Sequence, residues 1–537
     1  MARTSRLPLI AVLCTALVAA GCSLPFVDER KEPAPRPPAA AAGQWRDCPE
    51  VAKQLVGRGA PDMTYQCATV SVPRDWAAPR AAGPAGASAG STGPAAGSTG
   101  QAAAAGKTFD IALLRARSTR QRDRIGSLIL NPGGPGGSGI DTAIYLSFGP
   151  KFGGIPEEVS RRFDIVGFDP RGVGRSSPIK CISDGDLDAT FGFEPDPVDK
   201  AEFDELVALN RRIGAGCAAK YGADLPLYST EQAARDMDAV RAAVGDEKIT
   251  YLGYSYGTLL GATYAQLYPK RIRAFVLDGA VDPKADAIVS SESQAKGFEL
   301  AFNNFAAWCD RTPRKCPIGP DARTAVTTIL DKARSSPVRG ARGREATAGW
   351  VFYAIVSSLY TEAGWEKLAE ALAKLVDGAP AETFKLADDY ARRDAAGHYT
   401  NFFDAFYAVN CADSARPVTV DQIRTLQARW RAKYPLFGAP LAVGLLPCLG
   451  WPGARDPYPT GAATGAPPIV VVGTTGDPAT PYEQTALLAG MLGVGRVLTW
   501  EGEGHTAYPE SRCITEAVNR YLIDLRVPEE GKRCPAR

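Results

Sequence analysis

Apolar residues run along this chain in two rhythms. From Phe109 to Gly279 they fall mostly in short runs with little polar alternation: Ser127-Leu-Ile-Leu130, Phe163-Asp-Ile-Val-Gly-Phe-Asp169, Lys248-Ile-Thr-Tyr-Leu-Gly253 and Ala274-Phe-Val-Leu-Asp278. Runs of this length, stopped by Gly or Asp, predict strands buried on both faces, as in a parallel sheet. Helical stretches lie between them. One runs from Thr230 to Val244, with Ser229 and Gln232 spaced as a capping box and Gly245 as the stop, and another runs from Thr258 to Tyr268 and ends at Pro269. Upstream, Cys67-Ala-Thr-Val-Ser-Val-Pro and Phe109-Asp-Ile-Ala-Leu-Leu-Arg-Ala are expected to pair as an antiparallel hairpin. Strands alternating with helices predict an α/β fold, a mostly parallel sheet flanked by helices.

The rhythm then changes. Residues 281–466 are mainly helical in pattern, with helices expected at Ser290 to Trp308, Ala322 to Ala333, Trp350 to Leu359 and Val420 to Lys433. The strand type returns in Pro467-Pro-Ile-Val-Val-Val-Gly473 and Arg496-Val-Leu-Thr-Trp500. The expected organisation is a sheet domain in two parts, 44–280 and 467–537, with residues 281–466 inserted as a large helical cap. Residues 77–107 are almost wholly Ala, Gly, Ser, Thr and Pro, too poor in apolar surface to order themselves, and read as a disordered loop at the hairpin tip. No internal repeat is visible.

The first residues change the picture of where the chain works. Arg3 and Arg6 give a basic start, and Leu7 to Ala20 is apolar but too short to span a bilayer. The run ends in Leu17-Val-Ala-Ala-Gly21-Cys22, small residues before a cysteine that resemble a bacterial lipobox, with Ala19 where the usual Leu would stand. Residues 1–21 are therefore expected to be a signal peptide, Cys22 the lipidated first residue, and 22–43, rich in Pro and Ala, a flexible tether. The alternative is an ordinary secretory signal with Cys22 incidental. Either way the protein is expected outside the cell, on the outer face of the membrane or secreted, touching the membrane only through a lipid.

Composition narrows the function classes. Hydrophobic residues make up 45% of the 537 and charged ones 22%, as in globular proteins. The net charge of +2 rests on Arg3 and Arg6, without which 59 basic residues face 59 acidic ones, so nothing argues for nucleic acid as a partner. Beyond the leader ten cysteines remain, an even number that in an exported chain suggests disulfides. Pairing of sequence neighbours is expected: Cys48–Cys67, Cys181–Cys217, Cys309–Cys316, Cys411–Cys448 and Cys513–Cys534, each bracketing one segment. With no Cys-x-x-Cys pair and only two histidines, no metal site is expected.

The candidate chemistry centres on Gly253-Tyr-Ser255-Tyr-Gly257, between a strand and a helix. That context holds a serine on a tight, strained turn above a sheet edge, where the helix N-terminus favours developing negative charge. A serine nucleophile needs a base and the base needs an orienting acid. His505, in Glu501-Gly-Glu-Gly-His505 after the last strand, is the expected base, whereas His398 lies in the cap. Asp477 follows the Ile469 to Val472 strand and is the expected acid, with Asp278 as its competitor. Oxyanion donors are expected from the N–H of Tyr256 and from Gly133 and Gly134 in the loop Asn131-Pro-Gly-Gly-Pro-Gly-Gly-Ser-Gly139. Residues Gly134 to Gly139 also fit G-x-G-x-x-G, with Asp169 ending the next strand, so a dinucleotide site is an alternative for this loop alone; Pro135 and the unexplained serine motif weigh against it. No cofactor is expected.

Taken together, the 131–139 loop, Asp169-Pro-Arg-Gly-Val-Gly-Arg-Ser176, the serine motif, Gly476-Asp-Pro-Ala-Thr-Pro481 and Gly504-His-Thr resemble the actinobacterial tripeptidyl aminopeptidases, α/β-hydrolases similar to prolyl iminopeptidases. The resemblance runs from about Cys48 to Cys513 and does not cover loop 77–107. It implies an exported serine exopeptidase that removes short peptides, often tripeptides, from peptide N-termini, with Ser255, Asp477 and His505 as its triad. Such an enzyme must bind an ammonium group, for which Glu362, Glu366, Asp404 and Asp413 of the cap are candidates. The residues by themselves give a serine hydrolase and leave open an esterase or lipase with the same triad, or a catalytically silent binding lipoprotein. They do not define an oligomeric state.

Overall fold

The computed structural model describes residues 44–77, 108–451 and 457–536. The expected signal peptide, Cys22, the tether and nearly all of the 77–107 loop lie outside the described residues.

Ten strands form one sheet: β1 (Arg46–Asp47), β2 (Met63–Pro73), β3 (Thr108–Ser118), β4 (Gly126–Asn131), β5 (Phe163–Phe168), β6 (Ile249–Tyr254), β7 (Ile272–Asp278), β8 (Ile469–Gly476), β9 (Gly495–Glu503) and β10 (Lys532–Cys534). Their order is β1-β2-β3-β5-β4-β6-β7-β8-β9-β10. The first three strands and the β3–β5 pair are antiparallel, and from β5 onward every pairing is parallel. The hairpin expected from the sequence is the β2–β3 pair, in continuous register from Met63–Ser118 to Pro73–Thr108.

The unalternating apolar runs have their reason in two cores. Every residue of β4, β5 and β6 is buried. Because side chains alternate across a strand, Ile129, Val166, Tyr251, Phe275 and Val471 enter one core, and Leu128, Leu130, Ile165, Leu252, Val276 and Val472 the other.

The helices that position the site are α1 (Gly139–Ser147), α2 (Asp184–Gly192), α3 (Lys200–Tyr221), α4 (Thr230–Ala243), α5 (Tyr256–Leu267), α6 (Ala287–Arg311), α7 (Ala348–Leu359), α8 (Phe402–Asp413), α9 (Val420–Lys433), α10 (Glu483–Leu492) and α11 (Arg512–Asp524). Helices α6 to α9 fall between β7 and β8, within the inserted segment. They do not pack alone. Phe191 of α2 meets Trp350, Tyr353, Tyr399 and Phe403 at ring-centroid distances of 4.8–6.0 Å. A chain segment ahead of β6 therefore shares one aromatic core with the inserted segment, and such contacts tie the two together.

Five disulfides join Cys48–Cys67, Cys181–Cys217, Cys309–Cys316, Cys411–Cys448 and Cys513–Cys534. The last ties α11 to the three-residue edge strand β10, whose polar sequence would not hold it there. Among the described residues no helix is long and apolar enough to cross a membrane.

Candidate active site

Strand β6 ends at Tyr254 and helix α5 begins at Tyr256, so a single residue, Ser255, makes the turn. Its φ of 55° and ψ of −124° put it outside the regions an L-residue adopts freely. A serine ahead of a helix ordinarily caps it by accepting an amide N–H. Ser255 makes no such side-chain cap, so Oγ is left for other work. Its own N–H donates to the Asp278 carbonyl at 2.9 Å. The tightness of the turn explains the flanking glycine: a Cβ at Gly253 would overlap the Gly257 carbonyl.

His505 lies on the loop after β9 and Asp477 at the end of β8. Imidazole Nδ1 stands 2.9 Å from both Asp477 carboxylate oxygens. A proton on Nδ1 donates to that carboxylate and leaves the Nε2 lone pair to accept one. Asp477 is buried and is fixed by N–H donors from Ala479 (2.9 Å), Thr480 (2.8 Å) and Thr506 (3.4 Å), and by the Thr480 hydroxyl (3.0 Å). Burial pushes the His505 ring down. The Asp477 charge, the hydrogen bond to it and the Asp278 charge outweigh burial, so His505 protonates above the ordinary imidazole range. The competing acid, Asp278, accepts N–H from Ala507 and Tyr508 and makes no hydrogen bond to the ring. His398 is exposed, its Nδ1 3.0 Å from Asp184, in the turn between the inserted helices.

The expected oxyanion donors separate. Tyr256 opens α5, so its N–H belongs to the helix's first turn, which has no intrahelical acceptor. The expectation for Gly133 is corrected: its N–H donates to Asn131 Oδ1 at 3.0 Å and is not available. Its contribution is space, since a Cβ at Gly133 would stand 2.5 Å from the Tyr254 carbonyl and 2.9 Å from Ser255 Cβ. Tyr256 and Gly134 remain as candidate donors. The acid considered for a ribose, Asp169, is buried. It accepts the Ser138 hydroxyl (2.6 Å) and the N–H groups of Ile140 (3.2 Å) and Arg175 (2.8 Å), which ties the glycine loop to the next strand end.

The four candidate acids for a substrate ammonium are in different places. Glu366 is exposed and pairs with Lys315 at 3.4 Å. Asp404 is buried and accepts N–H from Cys181 (2.6 Å) and Ile182 (2.8 Å), anchoring α8. Asp413 ends α8 and accepts the Thr230 N–H (2.9 Å) and hydroxyl (2.6 Å); that hydroxyl also meets the Tyr256 phenol at 2.6 Å. Glu362 adjoins the histidine loop, because Thr361 forms an antiparallel bridge with Gly504 and the His505 N–H donates to the Tyr360 carbonyl at 2.8 Å. The Tyr360 ring packs edge-on against the imidazole at 5.4 Å. The sequence reading missed Glu503, two residues before His505. Asn304 donates to both its oxygens at 3.0 and 3.1 Å. Burial raises its carboxyl above the usual range, the Asn304 bond opposes this, and the Glu362 charge adds to it. Alternation along Glu501-Gly-Glu503-Gly-His505 was the available signal.

A strand–serine–helix turn, a late-strand aspartate and a histidine bound to it define the class, an α/β-hydrolase. Residues 126–511 match the family described as "alpha/beta hydrolase fold". The serine protease Hip1 of Mycobacterium tuberculosis is 40% identical over 453 residues, 79% of this chain and 83% of that protein. A protein of the same organism named carboxylesterase B is 35% identical over 93% of this chain and 91% of its own length. The tripeptidyl aminopeptidase of Streptomyces lividans is 30% identical over 87% of this chain and 83% of its own. The chain belongs to this family of α/β-hydrolases, with the tripeptidyl aminopeptidases and the Hip1 protease, and it is a serine hydrolase.

Proposed function

We propose that the chain is an exported serine aminopeptidase that releases short peptides, tripeptides among them, from the N-termini of peptides through an acyl-enzyme. The observations that support this reading are the His505–Asp477 pair after the late strands and Ser255 in its strained strand–helix turn. Ser255 Oγ attacks the scissile carbonyl and its proton passes to His505 Nε2. The carbonyl oxygen takes the electron pair and lies against the N–H groups of Tyr256 and Gly134. His505 then gives its proton to the leaving amine as the C–N bond breaks, and water repeats the sequence on the acyl-Ser255. The ten paired cysteines and the leader support export, with Cys22 as a lipid anchor. The inserted helices, lying on the histidine loop through Tyr360 and Thr361, narrow access to small or unfolded substrates. Glu362 and Glu503, beside His505, are the carboxylates that best suit a substrate ammonium. Asp413, behind Tyr256, is the alternative.

Capture of an ammonium by a partly buried carboxylate contributes about 1–3 kcal/mol. Acetylating the N-terminus of a good peptide substrate is therefore expected to lower kcat/KM by about five-fold to 150-fold, and Glu362→Gln or Glu503→Gln to remove most of that difference. Steady-state kinetics on free and blocked peptide amides beside short acyl esters is the test. The kinship with carboxylesterase B at 35% identity favours one second reading, an esterase. Efficient ester turnover with equal rates on free and acetylated peptides would establish it in place of the aminopeptidase.

A further inference from the structure

Asp278 ends β7, is fully buried, and has no part in the reaction as written above. Its position is nevertheless central. The main-chain carbonyl accepts the Ser255 N–H at 2.9 Å. The carboxylate accepts the Ala507 N–H at 3.1 and 3.0 Å on its two oxygens and the Tyr508 N–H at 2.8 Å. One residue thus fastens both the nucleophile turn and the loop that carries His505. The next residue, Gly279, forms the bed of the ring: a Cβ there would stand 3.2 Å from His505 Cε1 and 3.1 Å from Thr506 Cγ2. Thr506 has a φ of 71°, a left-handed conformation that a β-branched residue keeps only when its surroundings hold it. The two amides that Asp278 takes are the ones directly after Thr506.

We infer that Asp278 is a positioning residue for His505: through the Ala507 and Tyr508 amides it sets the imidazole against Ser255, and its carboxylate supplies a second negative charge that favours the imidazolium formed in the reaction. The inference rests on His505 being the base. When the Ser255 proton reaches Nε2, the ring gains a positive charge. Asp477 meets that charge by a direct hydrogen bond, and Asp278 meets it through space.

The groups facing this carboxylate come from each element around it. Tyr254 faces it from β6, Asp477 from the end of β8, and His505 and Tyr508 from the histidine loop. Thr480 Oγ1, 3.3 Å from Nδ1, and the Tyr360 ring complete the surroundings of the imidazole. Burial raises the Asp278 carboxyl. The Tyr508 and Ala507 amides and the His505 charge oppose the rise, the Asp477 charge adds to it, and the carboxyl is pushed up to about 7. The charge on either group acts on the protonation of the other, so the two titrations are linked.

The test is kcat, KM and the pH dependence of kcat/KM for the unaltered protein, Asp278→Asn and His505→Ala, on a short acyl ester or peptide amide that the unaltered protein turns over. Asp278→Asn keeps the shape and loses the charge, and it leaves one carbonyl oxygen to accept the Ala507 and Tyr508 amides that a single Asp278 oxygen accepts at 3.0 and 2.8 Å. Expected is a fall in kcat of about 10-fold or more with KM changed less than about two-fold. The acid limb of kcat/KM should also move to lower pH, because the lost charge is one that raises the His505 pKa. A folded Asp278→Asn protein with unchanged kcat and an unmoved limb, beside an inactive His505→Ala, overturns the inference and leaves the triad standing. An active His505→Ala overturns the triad and the inference with it. Should Asp278→Asn not fold, imidazole NMR of the unaltered protein decides. The chain has two histidines, and His398→Ala assigns their signals. A two-step titration of the His505 ring supports coupling to Asp278, and a one-step curve overturns it.

Discussion

The chain's two imidazoles, His505 and His398, sit in surroundings that differ in kind. His505 is held by Asp477 on Nδ1, by the Tyr360 carbonyl on its main-chain N–H, and by the Tyr360 ring packed edge-on against the imidazole. His398 is exposed and meets one surface carboxylate, Asp184. A base must be neutral to take the serine proton, and the net effect at His505 raises its pKa. Activity should therefore rise with pH through a midpoint above the free imidazole value of about 6.5. His505→Ala should lower kcat on the order of 10³-fold or more, and His398→Ala should leave the rate and the limb in place. Kinetics across pH 5–9 check all of this; a midpoint clearly below about 6.5, or a loss confined to His398→Ala, would contradict it. How far these residues could be read from the sequence follows from chain order. Ser255 and His505 are marked by local motifs, and Asp477 by the strand end before it. Tyr360 and Asp278 reach His505 only through the fold, so no local pattern marks them as its neighbours.

At the scale of elements, the glycine loop between β4 and α1 lies between two partners. Gly133 faces the nucleophile turn, and a Cβ at Gly136 would overlap the Phe402 carbonyl of α8. The loop thus lies between the Ser255 turn and the first residue of α8. Gly133→Ala adds a methyl group 2.5 Å from the Tyr254 carbonyl at a φ of 88°, so the loop or the nucleophile turn must move. The rate should fall on the order of 10²-fold, about the effect of one lost oxyanion donor. Gly149→Ala, at a φ of 79° but with nothing within 4 Å of its Cβ, is the control and should keep its activity. Equal kinetics for the two variants would contradict the role given to the loop. The loop's composition announced close packing, but not which of its amides is already taken: only the Asn131 side chain, folded back on Gly133, decides that.

For the whole molecule, the parallel strands were legible because burial on both faces removes polar alternation. The helices named in the insertion from spacing alone appear as Ala287–Arg311, Ala322–Ser335, Ala348–Leu359 and Val420–Lys433. What spacing did not reveal is how these helices pair. Helix α3 lies against residues 446–450 of the insertion, with Gly214 and Gly450 close enough that a Cβ on the first would stand 2.8 Å from the second's carbonyl carbon. Strand β10 has three residues and no apolar pattern, and it is held through the Cys513–Cys534 bond and the β9 ladder. The proposed function depends on Ser255, His505 and Asp477 acting together.

A fluorophosphonate, which forms a bond only with an activated serine, tests that dependence most directly. After reaction, peptide mapping by mass spectrometry should find the label on Ser255 of the folded protein. His505→Ala and Asp477→Asn should each slow labelling strongly, and Ser255→Ala should abolish it. A label carried mainly by another residue, or labelling of Ser255 at an undiminished rate in a folded His505→Ala protein, would contradict the account.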